Sequence, residues 1–474
     1  VAAATVKILV ANLGSTSLKW RLFRFADGQE QLLHKGGFER VADYGKAIDD
    51  CLLALKQAGT IANENDLAAV GFKTIMARGV NGCVPLTEKV LKAMEAFNGI
   101  APAHNPPYIN GIRFFAKRMP KVPLIALFET AFYQWAPAPA SRYAVPASWH
   151  ELGVRRWGFH GASHKYIAER SAELLDREDI AERVRHLYLA GAGSEVRQPD
   201  FRVISCHLGG SSSITGILNG VAIGTSMGMS PQSGLPQNNR VGDLDAFALP
   251  FVMRTTGCTL EDAERLLCKE SGLKALSGGY NDIRDIQAQA AKGNEAAQLA
   301  VDVLVHHARH WIGSYFLELN GIDALVFTGG IGENHPAIRK AVCANLDQLG
   351  IVLDEEQNLA VKAQEALLST PTSAVKVITI PANEELVVAR EVKRLLDQQE
   401  VERAAAARAE AERAAAEAAA AAKAAAERAA AAAAAAERAA AERAAASAAR
   451  KTKSPAKPAG KTKLSIIKSK LKKR

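Results

Sequence analysis

Three turns place glycine and hydroxyl side chains between β-branched runs: Asn12-Leu13-Gly14-Ser15-Thr16-Ser17, His207-Leu208-Gly209-Gly210-Ser211-Ser212-Ser213 and Thr328-Gly329-Gly330-Ile331-Gly332-Glu333-Asn334. Glycine lets backbone N–H groups approach an anion and Ser or Thr adds donors, so such turns suit phosphate. Lys19, two residues beyond Ser17, adds a point charge. Any one of these turns is compatible with an ordinary hairpin, but three in one chain favour the phosphate reading. A second set is cationic or donor in character: the stretch RRWGFHGASH from Arg155 to His164, His104 ahead of Asn105-Pro106-Pro107, and Arg240 in NRVGDLD. Together these groups suit a phosphoryl group whose charge spreads over its equatorial oxygens. Neither a G-x-x-x-x-G-K-[ST] loop nor an H-R-D loop is present, so the common nucleotide-binding motifs do not account for the set.

The elements needed to position these residues are legible as alternating patterns. Residues 6–11, 202–206, 324–328 and 375–381 read as strands, and residues 42–57, 87–97, 164–175, 259–267, 285–319 and 335–349 carry apolar spacing near the helical period. Pro-rich residues 101–108 and 136–146 read as loops, and the second marks a candidate domain junction. The body is therefore α/β with mixed sheets. The L-G turn with hydroxyl residues between two strands occurs twice, about 195 residues apart, which points to duplication of one nucleotide-handling half.

The chain has 474 residues, 48% of them hydrophobic, enough for two or three domains with real cores and incompatible with wholesale disorder. Its net charge of +9 suggests nucleic-acid binding until it is divided along the sequence. Residues 401–474 carry 18 basic and 7 acidic groups, and residues 450–474 carry 11 basic groups and no acidic one, so the body is nearly neutral. Six scattered cysteines without a C-x-x-C pair read as reduced thiols. No secretory leader or apolar membrane span is evident, and a cytoplasmic location is expected.

The motifs Asn12-x-Gly14-Ser15-Thr16-Ser17-x-Lys19, RRWGFHGASH, TSMGMSP, RVGDLD, FTGGIGEN and PANEEL, in that order, resemble the acetate kinase family from about Val6 to about Leu396. The resemblance implies a duplicated ribonuclease-H-like, actin-like ATPase fold. Its first domain would span residues 1–135, completed by 385–400, and its second, nucleotide-binding domain residues 136–384. It further implies ATP/ADP with Mg²⁺ or Mn²⁺, a homodimer, and reversible phosphorylation of a short-chain carboxylate to an acyl phosphate. Asn12 and Glu384 match the metal positions; Ser15, Ser17 and Lys19 match the first phosphate turn. His160 and Arg240 match residues that stabilise the transferring group, and His104 lines the same site. His207, Gly209, Gly210 and Ser211 fall on the second phosphate turn, Asp282, Ile283 and Arg284 on the adenosine contacts, and Gly330, Ile331, Gly332, Glu333 and Asn334 beneath the nucleotide.

The sequence departs from the family at several of these positions. Lys73 stands where the family has an arginine, Glu129 where it has an aspartate, Tyr133 where it has a histidine, and Gly210 where it has an asparagine. Lysine keeps the charge but loses the bidentate fork, and one extra methylene on a reacting carboxylate is a large displacement. Arg78 is a candidate substitute cation. Ile75, Phe159 and Pro231 match the apolar wall of the acyl pocket, with Ala103 in place of the usual leucine, which makes propionate as plausible a substrate as acetate. Two readings follow: an active short-chain acyl kinase, or a catalytically impaired nucleotide-binding protein with a tethering or regulatory role.

Residues 401–449 contain 33 alanines with recurring Glu-Arg pairs, the composition of a solvated helical spacer. Residues 450–474 form a Lys/Pro linker and then a short segment with Leu464, Ile467 and Leu471 at helical spacing. This end reads either as a polybasic tail for a polyanionic surface, nucleic acid or anionic membrane, or as a targeting peptide resembling those that load enzymes into bacterial microcompartments.

Overall fold

The computed structural model describes residues 5–14, 16–102, 104–191 and 200–451. Ser15, Ala103 and the basic segment 452–474 lie outside the described residues. The chain divides into two units, Val1–Asp397 and Gln398–Arg474.

The first unit is built on two sheets. The strands β1 (Val6–Leu13), β2 (Ser17–Ala26), β3 (Gln29–Glu39), β4 (Ala69–Thr74), β5 (Cys83–Pro85) and β6 (Leu124–Phe128) form a sheet of order β3-β2-β1-β4-β6-β5. The strands β7 (Arg202–His207), β8 (Ser213–Leu218), β9 (Val221–Thr225), β10 (Ala324–Thr328), β11 (Ala366–Leu367) and β12 (Lys376–Thr379) form the second, of order β11-β12-β10-β7-β8-β9. Each sheet begins with an antiparallel three-strand meander, adds two parallel strands beside the first, and ends in a short antiparallel edge. The duplication read from the two L-G turns is thus a duplication of sheet topology, with both turns at the first hairpin of their sheet.

The parallel central strands read as continuous apolar runs because both faces are covered. On the first sheet, Leu9, Ala11, Val70 and Phe72 pack into one core, while Ile8, Val10 and Leu127 meet Val387, Val388 and Val392 of the C-terminal helix on the other face. The second sheet has the same two-sided arrangement, with Ile204, Leu325 and Val377 in one core and Val203, Val326 and Ile378 in the other. All six cysteines are unpaired.

Several expectations change in detail: the helix expected over 335–349 is Pro336–Cys343, and the expected loop 136–146 contains a short helix, Ala138–Ser141. The pattern over 285–319 is two helices, Ile283–Ala290 and Glu295–Glu318, because Gly293 adopts φ 88° and the Asn294 side chain accepts from Ala297 N to start the second. The stretch 101–108 is not wholly loop: helix Asn105–Arg118 begins within it. Pro106 and Pro107 sit in its first turn, where a missing amide hydrogen costs nothing.

Helix Glu384–Lys451 starts in the first unit and carries the second. Residues 401–450 are helical and exposed throughout, as expected for alanine with Glu and Arg, which need no tertiary partner to favour the helix. Among the described residues no helix is long and apolar enough to cross a membrane.

Candidate active site

A cavity of about 230 Å³ is lined by Asn12, Leu13, Gly14, Lys73, Ile75, His104, Tyr108, Glu129, Phe159, His160, Ser211, Pro231 and Arg240. Strand ends and the turns that follow them supply most of these groups. Asn12 ends β1, Lys73 lies near the end of β4, and Glu129 directly follows β6. The parallel strands therefore deliver their polar termini to one place, as open α/β sheets do.

Lys73 is the electrostatic centre of the first-sheet side. Its Nζ lies 3.1 Å from Glu129 Oε1 and also pairs with Glu384 Oε2, with little of any of the three exposed. Burial works against the Lys73 charge, but Glu384 and Glu129 more than offset it and hold the ammonium well above the usual lysine range. Burial likewise opposes the Glu384 charge, and Lys73 with His207 outweighs it to keep that carboxyl below the ordinary range. At Glu129 burial prevails over Lys73, and its carboxyl is raised. Glu129 Oε2 is buried with no partner. Arg78, by contrast, donates to the Glu151 carbonyl at 3.3 Å at an exposed position and does not line the cavity, so it does not substitute for the missing fork.

Glu129 is tied to the histidine loop through backbone. Gly161 N donates to Glu129 O at 3.0 Å, and a Cβ on Gly161 would overlap that carbonyl oxygen. His160 precedes helix Gly161–Leu174 in a left-handed conformation, φ 58° and ψ 30°. Its Nδ1 meets Ser213 Oγ at 2.8 Å, and its ring stacks on His207 with centroids 4.2 Å apart. Burial, then the neighbouring His207 and His164, lower the His160 pKa well below its usual value. His104 stands at the start of helix Asn105–Arg118 with Nδ1 buried and unpartnered, and burial, followed by Arg240 and Lys73, lowers it to about 4. Both imidazoles are neutral at pH 7.

Arg240 supplies the cation on the opposite wall. Its Nη1 donates to Pro231 O at 3.3 Å and to Ser211 Oγ at 3.4 Å, and it has no carboxylate partner among the described residues. The loop that carries it is held by Gly272, whose φ of 67° suits glycine and whose missing Cβ leaves room for the Arg240 backbone. An unpaired arginine facing a lysine across a small cavity is an anion site.

The remaining expected positions divide into those the fold brings to the cleft's rim and those it uses elsewhere. His207 accepts or donates to Ser163 Oγ at 2.8 Å through Nδ1. Gly209 and Gly210 border the second turn; at Gly210 a Cβ would meet Asn238 Nδ2 at 3.4 Å, an ordinary contact. The amides of Ile331 and Gly332 are both spent on Leu208 O, at 2.8 and 3.0 Å, whereas Gly330 has open space around it. The third glycine segment is not a turn but a short helix, Gly329–Asn334; Glu333 Oε1 accepts from Gly329 N and Ala382 N, each at 2.9 Å, and Asn334 donates to Gly330 O at 3.0 Å, so both side chains brace it. Asp282 caps helix Ile283–Ala290 and pairs with Arg284 at 2.6 Å, while Ile283 is buried. Ser17 O accepts from Gly14 N at 2.8 Å. Lys19 pairs with Glu39 at 3.0 Å, mostly exposed, and does not line the cavity.

Sequence reasoning missed three participants. Tyr108 donates to Asn12 Oδ1 at 2.6 Å from the wall of the cavity. Tyr133, read as a lost histidine, donates to Phe159 O at 2.7 Å and meets Thr215 Oγ1 at 3.1 Å, tying down the residue before His160. His164 sits in the histidine motif but is buried behind His160. His164 had a signal in the histidine motif, and Tyr108 in its place one turn beyond His104 at the start of a helix.

A model of the Acetokinase family matches residues 35–390. The chain belongs to this family. An acetate kinase of Staphylococcus haemolyticus is 36% identical over 408 residues, covering 81% of this chain and 97% of that protein. One from Geobacillus kaustophilus is 37% identical over 413 residues, covering 82% and 99%. Among solved structures, Porphyromonas gingivalis acetate kinase superposes with a TM-score of 0.72 at 31% identity, covering 82% of this chain and 100% of that one. A propionate kinase from Francisella tularensis gives 0.69 at 30% identity, covering 81% and 98%. The family match thus ends before the alanine-rich segment 401–449. Membership makes this chain a kinase with a carboxylate acceptor, and the comparisons lend nothing to the impaired reading.

The cavity also suits a hard divalent cation. Glu129 and Asn12 line it and Glu384 adjoins it through Lys73; all three offer oxygen ligands, Glu129 Oε2 is unpartnered, and Mg²⁺ typically takes one or two carboxylates with phosphate oxygens and water. Among the described residues no cluster of three or more His, Cys, Asp or Glu is arranged to hold a metal by itself.

Proposed function

We propose that this protein transfers the γ-phosphoryl group of ATP to a short-chain carboxylate, acetate or propionate, giving an acyl phosphate and ADP, and that the transfer is reversible and direct. The observation that carries the reading is the cavity itself: Arg240 and Lys73 as cations, two neutral histidines, and an apolar corner of Ile75, Phe159 and Pro231 in one space of about 230 Å³. The acid's carboxylate oxygen forms a bond to the γ-phosphorus as the bond to the ADP oxygen breaks. No proton need move, so alignment and charge neutralisation are the protein's whole task. Arg240 orients the incoming carboxylate or a phosphoryl oxygen, His160 donates to the equatorial oxygens, and Lys73 keeps Glu129 and Glu384 in place. Glu384, Glu129 and Asn12 would hold Mg²⁺ or Mn²⁺, which neutralises phosphate charge when bound.

The acyl corner is rigid because Phe159 packs into a buried group with Met76, Phe97, Ala101 and Met227, backed by Ile75 and Trp157. A pocket of this kind separates acids differing by one methylene by about 1–3 kcal/mol. ADP formation coupled to a redox readout, with acetate, propionate, butyrate and lactate, tests the reading. It expects turnover with the two- or three-carbon acid and a steep fall at butyrate; no turnover with any acid overturns it.

The same reading includes a cytoplasmic homodimer. Leu244, Phe247, Phe251, Val252, Leu260 and Leu266 are all at least 40% exposed within one stretch, an apolar surface that favours a second copy. Light scattering that gives a monomer at micromolar concentration would remove the dimer. Residues 450–474 are assigned the role of addressing the enzyme to a polyanionic surface or a microcompartment shell, on their charge and pattern alone. A reporter fused to those residues that stays diffuse and shows no salt-dependent polyanion binding would exclude both.

A further inference from the structure

Behind the cleft, buried polar groups form an unbroken line. Ser213 Oγ on β8 lies 2.8 Å from His160 Nδ1 and 2.7 Å from His164 Nε2, and His164 Nδ1 lies 2.8 Å from Ser205 Oγ on β7. Ser205, Ser213 and His164 are all 0% exposed. Ser205 Oγ makes no other hydrogen bond among the described residues, and neither does His160 Nε2, on the ring that lines the cavity.

Hydrogen counting restricts this line severely. A neutral imidazole has one N–H and one lone-pair nitrogen, and a hydroxyl has one hydrogen to give. Burial first, and then His207, lower the His164 pKa well below its usual value, and His160 is lowered likewise, so both rings are neutral. Three proton arrangements then make every bond, and only one of them also gives every hydroxyl hydrogen an acceptor within the line. In one, Ser205 donates to His164 Nδ1, His164 Nε2–H donates to Ser213, Ser213 donates to His160 Nδ1, and His160 carries its proton on Nε2. In the other two His160 carries it on Nδ1 and one hydroxyl hydrogen is left without an acceptor: that of Ser205 when the line is reversed, or that of Ser213 when both imidazoles donate to its oxygen. A buried O–H without an acceptor disfavours each of these states by a factor of roughly 5 to 150.

We propose that Ser213, His164 and Ser205 are positioning residues that lock His160 as the Nε2–H tautomer, so that a neutral imidazole presents a hydrogen-bond donor to the transferring phosphoryl group. The assignment rests on the phosphoryl-transfer reading for its purpose but not for its geometry. The opposite tautomer would aim a lone pair at anionic oxygens. The relay explains why a histidine deep enough to stay uncharged still serves a phosphate: its donor is fixed by internal bonds and does not depend on pH near neutrality. It also gives a reason for the hydroxyl residue that begins β8 directly after the second glycine turn.

The test uses full-length protein labelled with ¹⁵N-histidine, its His160 signals assigned by their loss in His160→Gln. Long-range proton–nitrogen spectra at pH 7.5 are expected to show the proton on Nε2 and a hydrogen-bonded lone pair on Nδ1. In Ser213→Ala the two nitrogen shifts are expected to converge as the tautomers mix. In the same variant kcat is expected to fall about 10- to 100-fold, a share of what losing a whole transition-state donor costs, with KM within about threefold. Ser213→Thr, which keeps the hydroxyl, is expected to restore both. A wild-type spectrum with the proton on Nδ1 overturns the proposal without any variant, as does a Ser213→Ala enzyme with unchanged His160 shifts or unchanged kcat. The expected tautomer in a protein that turns over no acid would uphold the relay and overturn the reaction instead.

Discussion

Replacing Lys73 with methionine keeps most of its volume and removes the cation between Glu129 and Glu384. At about 3 Å and an effective dielectric of about 20, each attraction is worth about 5 kcal/mol. The fold avoids losing both by retaining a proton on one carboxyl. For a carboxyl of ordinary pKa, holding that proton at pH 7.3 costs about 4 kcal/mol, in line with about 3–5 kcal/mol for removing one partner of a buried pair. The variant is therefore expected to lose about 3–4 kcal/mol at that pH. The sign of its pH dependence follows. In the wild type, Lys73 with His207 holds Glu384 below the ordinary carboxylate range against the effect of burial. In Lys73→Met the retained proton marks a carboxyl whose folded pKa lies above its unfolded one. Stability from such a group is present at low pH and lost as pH rises. The deficit relative to wild type should thus narrow toward pH 5 and widen toward pH 8, by up to about 1.4 kcal/mol per pH unit. Urea unfolding of the two full-length proteins at pH 5.5, 6.5 and 7.5 reads this directly, with Lys73→Arg as the variant that keeps the charge. A deficit below about 1 kcal/mol, or one that does not change with pH, would refute the assignment of Lys73 as the neutralising partner of both carboxylates.

Three other outcomes are expected. Tyr133→Phe leaves the buried Phe159 carbonyl without its donor, costing about 1–3 kcal/mol, and kcat should fall more than KM changes; steady-state kinetics with an unaltered kcat would show that the phenol does not position the His160 loop. Gly161→Ala pushes a methyl group into the Glu129 carbonyl, and is expected to destabilise by about 1–3 kcal/mol as an overpacked contact and to weaken nucleotide-dependent turnover; a wild-type melting curve would contradict the close approach. Burial, with Arg240 and Lys73, lowers His104 to about 4. The unfolded chain therefore takes up this proton near pH 6.5 while the fold refuses it. Stability from the group is present above that pH and lost as pH falls, by up to about 3 kcal/mol at pH 4. His104→Gln should flatten that part of the stability–pH curve, and an unchanged slope would remove His104 from the buried set.

Local grammar made much of this legible. The strand before each glycine turn, the histidine motif and the Arg240 loop all carry their signal within about ten residues, and the fold brings Asn12, His160 and Arg240 to one cavity. What escaped depends on distant partners. Read alone, Lys73 and Glu129 are two departures from a pattern; in the fold they are one ion pair, 3.1 Å apart, between residues 56 positions distant in sequence. Tyr133 looked like a lost imidazole because a sequence cannot show that its hydroxyl reaches the Phe159 carbonyl. Lys19 failed the other way: its spacing from the turn was right, but β2 pairs with β3 so as to set it beside Glu39. The double proline at 106–107 suggested a loop, yet in the first turn of a helix proline is at home. The alanine-rich segment needed no tertiary information, since its helix rests on intrinsic propensity.

The central claim is that one cavity holding Lys73, His160 and Arg240 phosphorylates a short carboxylate. Its most direct test is initial-rate ADP release by the full-length protein with ATP, Mg²⁺ and each of acetate and propionate, set beside the Arg240→Ala variant. The account predicts acid-dependent turnover that the variant loses by about 100-fold or more in kcat/KM. Turnover independent of the acid, or undiminished without Arg240, would contradict it.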